Sequence, residues 1–195
     1  MGNRLAINTE IERRFLVDGR SDKPWRECHS KINIKQYYLD SAALEINQQS
    51  IAYSGFELVK IKPEEYGILV GEDNWVSRIR MADEDIILTM KGKRLHASAT
   101  ELEWKINSLP SMQNLEQLPH VIKTRYNKIG DDGLLWEIDE FEGSLAGLIL
   151  AEVELESLDQ IVEIPSWIGM ELTGLDNWSN AALASTLANA NSLKK

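Results

Sequence analysis

Side chains two apart on an extended strand share a face, and this sequence repeatedly places charge at that spacing. Glu10, Glu12 and Arg14 share one face, as do Arg78 and Arg80, Lys91 and Lys93, Glu101 and Glu103, Lys123 and Arg125, Glu137 and Asp139, and Glu152, Glu154 and Glu156. The opposite faces carry Ile11 and Phe15, Ile79, Leu102 and Trp104, Ile122, Ile138, Val153 and Leu155. Acidic pairs and basic pairs occupy separate strands. Carboxylates from neighbouring strands can hold divalent cations, while arginine and lysine facing them can bind phosphoryl oxygens, bidentately where arginine is used. A polyphosphate chain is the ligand that needs both halves. Without metal the acids repel it, and without the bases its charge stays uncompensated.

These pairs must be held by strands. Alternating segments bounded by turn formers predict strands over residues 8–17, 32–39, 75–81, 85–91, 99–107, 120–128, 134–141 and 148–156, with a short helical piece near 111–118. Asp18-Gly19, Gly92, Gly130 to Gly133 and Gly143-Ser144 supply the turns, and Asp131 to Gly133 reads as a hairpin. An Ala/Leu-rich run ending near Ala190 predicts a C-terminal helix capped by Asn177 or Ser179. Residues 41–74 fit this rhythm least, and Phe56–Lys62 with Gly67–Val70 suggests an inserted hairpin there.

A solvated open sheet produces such alternation strand by strand. Segregation of the acidic from the basic pairs favours closure instead. About eight such strands closed into a barrel bring both sets to one lumen and leave no exposed edge.

The 195 residues, 43% of them apolar, suit a single domain over 1–195. Against 21 Lys plus Arg stand 31 Asp plus Glu, a net charge of −10 that argues against nucleic-acid partners. No run approaches the length of a membrane span, and the N-terminus lacks secretory and myristoylation patterns, so a cytoplasmic protein is expected. Cys28 alone, with His29, His96 and His120 scattered, gives neither a disulfide framework nor a zinc spacing. Any metal must then take oxygen ligands, which suits Mg2+ or Mn2+. P-loop and serine-esterase motifs are missing. The six tryptophans read as packing residues rather than base-stacking ones.

In these residues the chain resembles the CYTH, or triphosphate tunnel metalloenzyme, superfamily, whose N-terminal strand is E-x-E-x-K. Glu10-Ile11-Glu12-Arg13-Arg14-Phe15-Leu16-Val17 matches the usual EIERKFLV with Arg14 at the lysine. In order follow Gln36 and Tyr38, Arg78-Ile79-Arg80, Leu88 to Gly92, Glu101-Leu102-Glu103, Lys123 to Tyr126, Trp136 to Gly143, Ala151 to Leu155, and Leu172-Thr173 through Asn180. The likeness spans about residues 8–190, interrupted at 41–74.

The resemblance implies an α+β, mainly antiparallel fold: a closed eight-stranded β-barrel with flanking helices. It implies Mg2+ or Mn2+ on Glu10, Glu12, Asp139, Glu152 and Glu154, and a small-molecule triphosphate on Arg14, Arg78, Arg80, Lys91, Lys123 and Arg125. Arg14, Glu101 and Glu103 would be catalytic, the two acids through water positioning. The implied reaction is hydrolysis of inorganic triphosphate. A class IV adenylate cyclase, a thiamine or nucleoside triphosphatase and a non-catalytic polyphosphate-binding module are the alternatives. Arg14 departs from the pattern, because arginine clamps phosphate but donates protons poorly. The 41–74 segment departs too, with a lid, a homodimer contact or plain decoration as its open roles.

Overall fold

The computed structural model describes residues 4–20, 22–28, 30–93 and 98–192, with the backbone alone for 4–10 and 98. His29 and His96 therefore lie outside the described residues. The strands are β1 (Arg4–Val17), β2 (Ser30–Tyr38), β3 (Leu44–Ile46), β4 (Ser50–Tyr53), β5 (Phe56–Lys60) and β6 (Val76–Ala82). They continue with β7 (Asp85–Lys91), β8 (Ser98–Lys105), β9 (His120–Ile129), β10 (Leu135–Phe141), β11 (Ile149–Leu155) and β12 (Ile168–Glu171). The helices are α1 (Pro63–Gly71), α2 (Met112–Leu115) and α3 (Asn180–Ser192).

Nine strands form one antiparallel sheet in the order β11-β10-β9-β2-β6-β7-β8-β1-β12, and β1 additionally pairs with β11. The fold is α+β and mainly antiparallel, as the alternation predicts. A uniform closed eight-stranded barrel is not what forms. The structure is a large curved sheet whose ends meet along Ile11–Leu16, because β1 divides its length between neighbours. Its first half, Arg4–Ile11, pairs with β8, and β12 adds a ninth strand at Phe15 and Val17.

Each long strand buries its apolar parity on one side of the sheet. Tyr37, Ile79, Leu88, Met90, Leu102 and Trp104 make one core with residues of the 44–75 segment, while Phe15, Trp136, Ile138, Ala151 and Val153 make another around Trp25 and Trp167. The opposite parity is charged along most of its length. At one end it turns apolar, where Leu16, Tyr38, Val121, Phe141 and Leu150 pack against Trp178, Ala181 and Ala184. Helix α3 thus closes one end of the concave face. All six tryptophans belong to these packed clusters.

The 41–74 segment is richer than the expected hairpin. It forms a three-stranded antiparallel sheet, β3-β4-β5, followed by α1. Ser54 and Gly55, both at positive φ (50° and 77°), make the two-residue turn joining β4 to β5. Residues 67–70 are helical rather than extended because Pro63 occupies the first helical position, where its missing N–H costs nothing. The Glu65 carboxylate takes the Lys62 N–H at 2.7 Å. The hairpin at Asp131 to Gly133 forms as predicted, with Asp132 accepting from the Leu134 N–H at 3.0 Å. At α3 it is Ser179 that caps, its Oγ accepting from the Ala182 N–H at 3.1 Å. The short strand β12 has no counterpart in the sequence expectations.

Candidate functional site

The strand register brings the charged pairs together. Across β1 and β11, Glu12 lies opposite Glu154 and Arg14 opposite Glu152, and across β10 and β11 Glu137 lies opposite Glu152. On the other wall Lys91 faces Glu101 across β7 and β8, and Arg80 faces Gln36 across β6 and β2. These residues, with Arg78, Glu103, Arg125 and Asn180, line one cavity of about 360 Å³. Glu12, Glu137, Glu152 and Glu154 also line an adjoining cavity of about 290 Å³ with Glu156. One side is therefore rich in carboxylates and the other in cations.

Arg14 is held by two acids of the carboxylate side. Its Nε donates to Glu152 at 2.5 Å and its terminal nitrogen to Glu12 at 3.0 Å. Burial works against its charge, but Glu152 and Glu12 outweigh that and raise its pKa further. Burial likewise acts to raise the Glu152 carboxyl, and Arg14, Arg125 and Lys123 overcome it to hold the pKa well below the usual carboxylate range.

On the cationic wall Arg78 reaches Glu101 at 3.3 Å, Arg80 reaches Glu103 at 3.3 Å, and Lys91 reaches Glu101 at 3.5 Å and Glu12 at 3.9 Å. The Thr89 hydroxyl fixes Glu103 at 2.8 Å. Burial, then the charges of Arg78 and Arg125, push the Arg80 pKa down, and its Nε is buried with no hydrogen-bond partner. A buried guanidinium with an unpartnered Nε, crowded by other cations, is a site for an anion.

Lys123 and Asp139 are buried beside Arg125 on β9 and β10, 1% and 2% exposed, and do not line the central cavity. They pair with each other, and Asp139 accepts both Nε and a terminal nitrogen of Arg125 at 2.7 Å. Burial, with Arg125 beside it, lowers the Lys123 pKa to about 8. The side chain of Glu10 lies outside the described residues, although its backbone pairs with Ala99. Glu137, Gln36 and Asn180 are cavity residues that the expected site set leaves out. Glu137 was legible as the strand partner of Asp139, while Gln36 and Asn180 stand in the matched motifs with no role assigned to them there. Burial raises the Glu137 pKa despite Arg125, so this carboxyl holds a proton more readily than Glu152.

The donor chemistry fits a hard divalent cation, since Glu12, Glu137, Glu152 and Glu154 offer only oxygen from three strands. Among the described residues no three His, Cys, Asp or Glu groups converge on one metal position. Glu12 and Glu152 are turned to Arg14, and Glu152 also lies 3.6 Å from Arg125. No helix among the described residues is long and apolar enough to cross a membrane.

No family model matches the chain. It is 37% identical over 109 residues to an inorganic triphosphatase of Acetivibrio thermocellus, covering 54% of this chain and 69% of that protein. It is 30% identical over 183 residues to an inorganic triphosphatase of Nitrosomonas europaea, covering 90% of this chain and 97% of that protein. The crystal structure of the inorganic triphosphatase NE1496 superposes with a TM-score of 0.53 at 29% identity, covering 91% of this chain and 95% of that one.

Proposed function

From the membership of this chain in the inorganic triphosphatases of the triphosphate tunnel superfamily, we propose that it hydrolyses inorganic triphosphate to diphosphate and phosphate inside the cavity of its curved sheet. The observation that carries the substrate is the crowded wall of Arg78, Arg80, Lys91 and Arg125, with a buried Arg80 Nε left unpartnered. A linear anion with oxygens along its length satisfies several such groups at once.

In this reading Arg78, Arg80, Lys91 and Arg125 bind the phosphate chain, and Arg14 reaches it from the carboxylate side. Lys123 and Asp139 position Arg125. Glu12, Glu152 and Glu154, joined by Glu10 as the resemblance implies, would hold Mg2+ or Mn2+. Bound there, a divalent cation neutralises the carboxylates and lowers the pKa of a water. The chain's own contribution is charge stabilisation: guanidiniums fixed before the reaction compensate the charge that moves onto the leaving diphosphate. Glu101 and Glu103 hold the cations of the far wall in place, and Glu137 is the carboxyl suited to take a proton from water. A cytoplasmic enzyme, alone or as a homodimer, is part of the same proposal.

Phosphate release from inorganic triphosphate, ATP and thiamine triphosphate, with magnesium and with manganese, tests it. Turnover fastest with inorganic triphosphate and abolished by Glu12→Gln and Glu154→Gln is expected. Cyclic AMP from ATP, or tight binding of all three compounds without release, would sink the proposal in favour of a cyclase or a binding module.

A further inference from the structure

We infer that the N-terminus of α3 is a further phosphoryl subsite, in which Asn180 and the first backbone N–H groups of the helix hold one end of the phosphate chain. The inference rests on the triphosphatase reading above and extends it to a residue outside the charged strands. Asn180 is only 8% exposed, yet its Oδ1 has no hydrogen-bond partner. Buried carboxamides left without partners are uncommon in folded proteins, and each calls for a reason.

The surroundings supply one. Asn180 lines the central cavity and also a second cavity of about 460 Å³, and the two share Arg14, Arg78 and Lys91. The junction between the cavities is therefore ringed by cations. Helix α3 runs from Asn180 to Ser192, long enough for a developed dipole, and its first N–H groups have no acceptor within the helix. Ser179 spends its Oγ on the Ala182 N–H and its carbonyl on the Leu183 N–H, which leaves the N–H groups of Asn180 and Ala181 as the ones an anion can take. Arg14 ties this end of the helix to β1 by donating to the Trp178 carbonyl at 3.4 Å.

Oδ1 is the enclosed end of the Asn180 carboxamide, so Nδ2 is the end that offers its N–H groups to a phosphoryl oxygen in the cavity. Asp176 lines the second cavity as well, which disfavours an anion farther out and confines it to the junction.

Asn180→Ala and Asn180→Asp separate a binding role from a structural one, because aspartate in the first turn favours the helix while repelling phosphate. With inorganic triphosphate, the KM is expected to rise about tenfold in N180A and on the order of a hundredfold in N180D, with kcat within about threefold of the parent. The melting temperature of N180D should match or exceed that of the parent. A KM within about twofold of the parent in both variants, or a lower KM in N180D than in N180A, overturns the inference while the parent chain remains active. A parent chain that releases no phosphate overturns the function proposal and this inference together.

Discussion

Arg14 lies opposite Glu152 in the β1–β11 register and donates to it at 2.5 Å, while also bonding Glu12 at 3.0 Å. The guanidinium is thus committed to two carboxylates of the acidic side of the cavity, and its raised pKa removes it from proton transfer. Lysine in its place keeps the charge, releases one carboxylate and can donate a proton. Arg14→Lys is expected to raise kcat for inorganic triphosphate about tenfold, within the range general acids contribute, and Arg14→Met to lower it. A lysine variant no faster than the parent would show that Arg14 serves binding alone.

Glu152 and Glu154 share a strand face but differ in what their loss leaves behind. Glu152 compensates Arg14 and Arg125 at 2.5 and 3.6 Å, whereas Glu154 is exposed at the rim of the cavity. Glu152→Gln should cost about 3 kcal/mol of stability by stranding buried charge, along with activity. Glu154→Gln should reduce turnover on the order of tenfold or more and leave the denaturation midpoint in place. Equal loss of stability in the two variants would contradict the division.

Acid sensitivity follows from the same carboxylate. The folded-state pKa of Glu152 is depressed by Arg14, Arg125 and Lys123 against the opposing effect of burial, from an ordinary value of 4.5. As the pH drops, the unfolded chain takes up this proton before the folded one does. The stability that the ionised group contributes is complete above the ordinary value and drains away as the pH falls toward the folded one. In the presence of a chelator, the melting temperature should decline below about pH 4.5, and Glu152→Gln should flatten that limb. A variant with the same acid slope as the parent would assign the slope to other groups.

The parts of this fold that were legible in the sequence are those where one face decides everything. On β11, Ala151, Val153 and Leu155 are buried on one parity while Glu152 and Glu154 take the other, so period-two reading found the strand and the face that lines the cavity. β12 escaped because its four residues are mostly exposed and carry no alternation. Its place is set by the Arg13 guanidinium on Glu171, at 2.8 and 2.7 Å, which sequence order hides. Residues 67–70 escaped for a different reason: the short apolar run there reads equally as strand or helix, and it is Pro63 at the first helical position that opens a helix. Lys123 and Asp139 were read as cavity residues because parity gives the face but not the depth. Both point inward, and the Arg125 side chain lies over Asp139.

Gly92 ends the β7 strand immediately after Lys91, and the reason for a glycine there lies in the inserted segment. A Cβ at Gly92 would meet the Glu72 carboxylate, with Oε1 at 2.1 Å and Cδ at 2.5 Å. The same Oε1 accepts the Lys93 N–H at 2.8 Å, so the segment that follows α1 grips the backbone beside Lys91, which the proposal assigns to phosphate. Val76, the first residue of β6, pairs directly with Lys91, which places the end of the insert at the mouth of the cationic wall. Gly92→Ala must displace that carboxylate and break its bond to Lys93. The atoms met are the movable end of a side chain, so a cost of about 1 kcal/mol, that of the lost hydrogen bond, is expected, together with a higher KM for inorganic triphosphate as Lys91 shifts. Glu72→Ala removes the same bond, so adding it should cost little further stability and leave the KM raised, because the grip on Lys93 is already gone. Thermal denaturation and kinetics on the single and double variants check both halves. Additive losses of stability in the double variant would mean that Gly92 and Glu72 act independently.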